Sequence, residues 1–122
     1  MRIPYWSAKS EVKLNGEAVK DVKAGNYLVL DRTWKSGDKI ELNLDFTLHY
    51  WVGERESDGK VSIYRGPLLL TYDRRFNGMD PANVPTLDAS DLEGKVTAWY
   101  GRHPPLLLLE FSADDGRVLK LC

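Results

Sequence analysis

From Lys39 to Leu48 the chain reads Lys-Ile-Glu-Leu-Asn-Leu-Asp-Phe-Thr-Leu, with apolar side chains at every even position and polar ones at every odd position. A β-strand turns successive side chains to opposite faces, so this pattern predicts one long strand with a wet face and a buried face. A helix would scatter the same residues around its circumference. The polar stretch Asp31 to Asp38, which carries Trp34, reads as the loop that leads into this strand.

The same alternation recurs along the chain. Glu11 to Leu14 and Glu17 to Lys20 flank Asn15-Gly16, the pair that favours a type I′ hairpin because both turn residues need positive φ. Ala24-Gly25-Asn26 and Ser36-Gly37-Asp38 are further turns, and Tyr27 to Leu30 is a predicted strand between them. Lys60 to Tyr64 and Leu68 to Tyr72 are strand-like on either side of Arg65-Gly66-Pro67, where the proline implies a bulge, a crossover or an edge. Lys95 to Tyr100, Leu106 to Phe111 and Arg117 to Leu121 complete the set, the last two joined at Asp114-Asp115-Gly116. Asp73 to Gly94 is turn-rich and sparse in apolar residues, which predicts a long loop with at most one helical turn, near Asp88 to Leu92.

About nine short strands, no segment with a 3.6-residue period, and no repeat predict an all-β fold. The expected architecture is an antiparallel β-sandwich, jelly-roll-like or Ig-like, in a single domain over residues 1–122. Strand-like residues at both termini, Arg2 to Trp6 and Arg117 to Cys122, suggest a fragment of a larger multidomain protein.

Composition narrows the function. Seventeen basic and 18 acidic side chains leave a net charge of −1 without any block of like charge, so neither nucleic acid nor an anionic membrane is an expected partner. The longest apolar runs, such as Leu106 to Leu109, are far below the roughly 20 residues of a membrane span. The chain reads as soluble, with cytoplasm and secretion both open. Cys122 is the sole cysteine, so an internal disulfide and a cysteine-based zinc site are excluded.

The candidate chemistry is thin. Two acidic clusters, Glu54 with Glu56 and Asp58, and Asp88 with Asp91 and Glu93, could supply the paired carboxylates of glycoside hydrolysis, but loop charges and turn caps account for them more simply. Asp114-Asp115-Gly116 lacks the further acidic residues of a calcium loop and reads as a hairpin turn. His49 and His103 are far apart in sequence, and packing is the simpler reading of the strand residue His49. Catalytic, cofactor and metal residues are therefore all predicted to be absent from this chain.

The aromatic pairs Tyr5-Trp6, Tyr50-Trp51 and Trp99-Tyr100 are the strongest functional signal. Neighbours in a strand face opposite ways, so one ring of each pair is expected to point outward, toward a sugar or another domain. Trp34, Trp51, Trp99 and Tyr100 are the candidate carbohydrate or domain contacts, joined by Arg65, whose guanidinium suits bidentate anchoring of carbonyls or a carboxylate.

The segments Arg2-Ile3-Pro4-Tyr5-Trp6, Val12-Lys13-Leu14-Asn15-Gly16 and Gly25 to Trp34 together resemble glycoside hydrolase family 127, the β-L-arabinofuranosidases and their bacterial relatives. Gly37 to Leu42 and Val61 to Leu68 continue the likeness in order; residues 71–122 match more loosely. The resemblance implies a non-catalytic β-sandwich region that follows an α/α barrel. It implies that the catalytic cysteine and a zinc held by cysteines and a glutamate lie in that barrel, so no cofactor belongs to this chain and Cys122 is not the nucleophile. The implied role is an accessory domain of an enzyme acting on arabinofuranosyl or related bonds, with the barrel as its partner. A carbohydrate-binding module using exposed Trp and Tyr, and a protein-interaction or homodimerisation domain, are the alternatives.

Overall fold

The Asn15-Gly16 turn forms as its sequence dictates: Asn15 has φ 51° and Gly16 φ 85°, a left-handed pair that folds β1 (Glu11–Leu14) back onto β2 (Glu17–Ala18). The computed structural model describes residues 1–122 apart from Ala89 and Asp91. Among the described residues the chain is all-β, with nine strands, one four-residue α-helix and two short 3-10 turns. It divides into two compact units, residues 1–49 with 64–68, and residues 50–63 with 69–122.

In the first unit β1 is the central strand, pairing antiparallel with β2 and with β3 (Ile40–Asn43). The register sets Val12 opposite Leu42 and Leu14 opposite Ile40 on one face, and Lys13 opposite Glu41 on the other. Val12 is buried with Ile3 and Leu28, and Val19, Val22 and Leu30 pack around them. Ile3 and Leu28 arrive on segments that pair without forming regular strand. Leu28 N–H donates to the Met1 carbonyl (2.8 Å), Ile3 N–H to that of Asn26 (2.9 Å), and the ladder amounts to one bridge between Arg2 and Tyr27. The strands predicted at Arg2 to Trp6 and Tyr27 to Leu30 are thus reduced to extended chain.

The predicted strand from Lys39 to Leu48 is broken. β3 ends at Asn43, and β4 (Leu48–Val52) begins afresh. The cause is Ser7, whose side chain is fully buried and whose Oγ accepts the Asp45 N–H at 2.7 Å. Asp45 then accepts the Thr47 N–H on its own carboxylate (3.1 Å), closing a side-chain turn where ladder bonds would have continued. The expected buried face is also incomplete: Ile40 is 38%, Leu42 40% and Phe46 48% exposed. Phe46 packs at a tilt on Trp6, with ring centroids 5.1 Å apart.

A second sheet has the order β4-β5-β6, with β5 at Val61–Arg65 and β6 at Leu68–Leu70. The third, in the second unit, has the order β7-β8-β9, with β7 at Lys95–Val96, β8 at Leu109–Ser112 and β9 at Val118–Leu121. Here alternation and burial agree: Leu109, Phe111, Leu119 and Leu121 are buried, whereas Glu110 and Lys120 sit opposite each other on the other face as a 3.4 Å ion pair. The predicted strands at 95–100 and 106–111 are shorter than the apolar pattern suggests; Leu106, at 93% exposed, lies outside β8.

Residues 73–94 hold more structure than a loop. Helix α1 (Arg74–Asn77) is capped by Asp73, which accepts the Arg75 N–H, and ended by Gly78 at φ 65°. A 3-10 turn at Pro81–Asn83 is capped by Asp80 in the same way. The Asn77 side-chain amide donates to the Lys120 carbonyl (2.8 Å) and accepts the Lys120 N–H (2.7 Å), acting as a one-residue extension of the sheet at β9. The helical turn expected near Asp88 to Leu92 includes Ala89 and Asp91, which lie outside the described residues. No helix among the described residues is long and apolar enough to cross a membrane.

Candidate functional site

Each aromatic pair does send one ring outward, though only Tyr50-Trp51 does so by strand geometry. Tyr5 is 78%, Trp51 70% and Tyr100 96% exposed, while Trp6, Tyr50 and Trp99 are half-buried. Tyr5 lies at a turn and Tyr100 in irregular chain. In β4 the division is fixed by Tyr50, whose hydroxyl donates to the Leu92 carbonyl and whose pKa is raised by burial, with the Glu93 charge adding to the effect. Anchoring Tyr50 on one face leaves Trp51 on the other.

Trp51 opens onto a depression of about 630 Å³ lined by Gly53, Glu54, Ser57, Lys60, Val61 and Ser62. The connection between β4 and β5 builds it. Gly53 N–H donates to the Lys60 carbonyl (2.9 Å), closing the base of the hairpin, and the intervening residues coil into a 3-10 turn at Arg55–Ser57. Ser57 N–H donates to the Glu54 carbonyl and Lys60 N–H to that of Ser57, so the loop backbone is tied within itself. The coil folds so tightly onto Gly53 that a Cβ there would stand 2.1 Å from the Ser57 carbonyl oxygen. Only glycine allows that approach. The sequence marks this loop by its charges; the flanking glycines were the signal of its fold.

The other predicted contact residues are used differently. The Arg32 guanidinium lies over the Trp34 ring, 5.3 Å from its centroid, and is held there by Asp38 (3.1 Å). Trp99 meets Phe76 edge to face at 4.9 Å, its Nε1–H donates to the Arg102 carbonyl (3.3 Å), and Gly101 lies against its indole. Arg65 donates from Nε to the Phe46 carbonyl (3.4 Å), tying down the segment that interrupts β3 and β4. Trp51 is thus the candidate that joins an exposed ring to a lined concavity.

The carboxylates cap turns. Asp88 accepts from the backbone and hydroxyl of Ser90, Asp115 from the backbone and guanidinium of Arg117, and Asp58 from the Gly59 N–H. The Ser90 and Arg117 contacts hold the Asp88 and Asp115 carboxyls below the usual range. Asp91 of the second acidic cluster is outside the described residues. His49 stacks on Tyr64, with centroids 5.2 Å apart, and His103 is exposed at φ 56°. Among the described residues no three His, Cys, Asp or Glu side chains stand together as a metal-binding group. The half-buried Cys122 directs its thiol to the Thr71 carbonyl (3.8 Å).

Comparison with known proteins places this architecture. No curated protein matches the chain. A solved structure titled "Glycoside hydrolase" superposes over 98% of the chain with a TM-score of 0.79 at 24% sequence identity, a likeness that establishes the fold. This chain spans 24% of that structure's length. Residues 1–46 match the family described as Beta-L-arabinofuranosidase, GH127 middle domain. The likeness to family 127 read from the residues is borne out over residues 1–46, which are similar to that family's middle domain.

Proposed function

We propose that this chain is a non-catalytic accessory β domain of a glycoside hydrolase whose catalytic barrel belongs to the same polypeptide and cleaves arabinofuranosyl or related glycosidic bonds. The match of residues 1–46 to a GH127 middle domain carries this reading. The fold supports it, since the glycoside hydrolase that shares it is about four times as long as the part that corresponds to this chain.

Electrostatics point the same way. A glycosidase general acid needs a carboxyl whose pKa is raised by burial or by a like charge. Among the described residues, the carboxyls of Asp38, Glu41, Asp45, Asp73, Asp88 and Asp115 are held below the usual range, each first by a hydrogen bond to the ionised form. A zinc and its cysteine ligands would sit in the barrel; the donor groups described here do not fit one. The surface facing that barrel would include Tyr5, Tyr27 and Val29, all more than 70% exposed within the matched segment. Side chains so large and apolar gain most when another domain covers them.

Incubating the purified chain with p-nitrophenyl arabinofuranosides tests the reading. The expected result is no release of nitrophenol above the blank. Turnover that survives repurification would overturn it.

A further inference from the structure

We propose that the depression at the turn end of the β4–β5 hairpin is a binding site for a neutral oligosaccharide, with the Trp51 indole as its stacking platform. A sugar ring has one face of C–H bonds and a rim of hydroxyls that both donate and accept. The site offers a partner for each. Trp51, 70% exposed, and Val61, 42% exposed, supply apolar surface. Ser57, Ser62, Glu54 and Lys60 are also among the lining residues, and their side-chain types can donate and accept hydrogen bonds.

Charge and shape select the ligand class. One Glu and one Lys line the site, so their charges offset and neither an anionic nor a cationic ligand gains from the local field. The volume of about 630 Å³ falls within the roughly 300–1,000 Å³ common for small-ligand sites. Preorganisation favours binding as well. Trp51 is fixed outward by its anchored neighbour Tyr50, and the loop is locked against Gly53, so little ordering is left for the ligand to impose. Trp34 and Trp99 lack this combination, because their rings already serve Arg32 and Phe76.

The test is titration of the full chain with arabinotetraose and, separately, cellotetraose, followed by calorimetry and by amide NMR. With either sugar the expected Kd is on the order of 1 mM or tighter. Shifts should be confined to the amides of Gly53, Ser57, Lys60 and Ser62 and to the Trp51 indole N–H. Trp51→Ala should raise Kd about tenfold or more, while Trp34→Ala and Tyr100→Ala leave it within about twofold. The NMR arm needs no variant, so it decides even if Trp51→Ala fails to fold. No shift with either sugar at about 20 mM, or shifts centred on other residues, would overturn the proposal. Such a failure is separate from that of the accessory-domain reading, which is tested by turnover.

Discussion

Replacing Ser7 by alanine tests the reason for the break between β3 and β4. The Ser7 side chain is fully buried, and its Oγ accepts two hydrogen bonds at 2.7 Å, one from Asp45 N–H and one from the Ser10 hydroxyl. The Ser10 hydroxyl has a second acceptor in the Ser7 carbonyl at 2.9 Å, so it keeps a partner in the variant. The Asp45 N–H does not. A buried donor left without an acceptor costs about 1–3 kcal/mol, and this one is partly buried, which places the loss near 1.5 kcal/mol. Loss of a single oxygen opens little cavity, so packing adds little. Amide hydrogen exchange at Asp45 is the direct assay. A local loss of that size speeds exchange roughly tenfold, and urea unfolding should show a matching drop in stability. Ser10→Ala, which strands no buried N–H, should cost less than about 1 kcal/mol. Unchanged protection at Asp45 in Ser7→Ala, with a stability loss under about 0.5 kcal/mol, would refute the claim that this hydroxyl ends the strand.

Two other outcomes follow from the structure. Gly53→Ala drives a Cβ to 2.1 Å from the Ser57 carbonyl oxygen, so the loop must move; a melting temperature lowered by about 4–8 °C is expected, and an unchanged one would show that the coil over Gly53 gives way freely. Asp38, Asp73 and Asp115 are held below the usual aspartate value of 3.8 by Lys35 N–H, Arg75 and Arg117 respectively. The unfolded chain therefore binds protons first, so the stability they contribute is present above that value and lost as pH falls through their lower folded values. The urea midpoint should decline below about pH 4, and Asp38→Asn should flatten that decline; a midpoint that rises with acid would contradict the assignment.

Turns were legible in the sequence because their causes are local. Asn15-Gly16 needs only its own two φ angles, and Asp115-Gly116 closes its hairpin with a carboxylate that accepts the Arg117 N–H two residues on. The short helix α1 was missed although its punctuation was visible: Asp73 and Gly78 read as loop residues and act as caps. Four residues are too few to display a helical period. At the candidate site, composition could say that one ring of Tyr50-Trp51 faces out, but not which. The choice rests on the Leu92 carbonyl, 42 residues away, which takes the Tyr50 hydroxyl. Likewise the contact residues Trp34, Trp99 and Arg65 looked equivalent to Trp51 until their partners were in place.

By itself the sequence determined that the backbone alternates its faces and turns where it does, because side-chain alternation and φ preference belong to neighbouring residues. Tertiary structure decided which alternating faces are covered and where the alternation is cut. Val12 and Leu42 sit opposite each other in one register, yet Val12 is 2% exposed and Leu42 40%. Ile3 and Leu28 pack on Val12 from distant parts of the chain. Burial is a property of what arrives from elsewhere, and no run of ten residues carries that information.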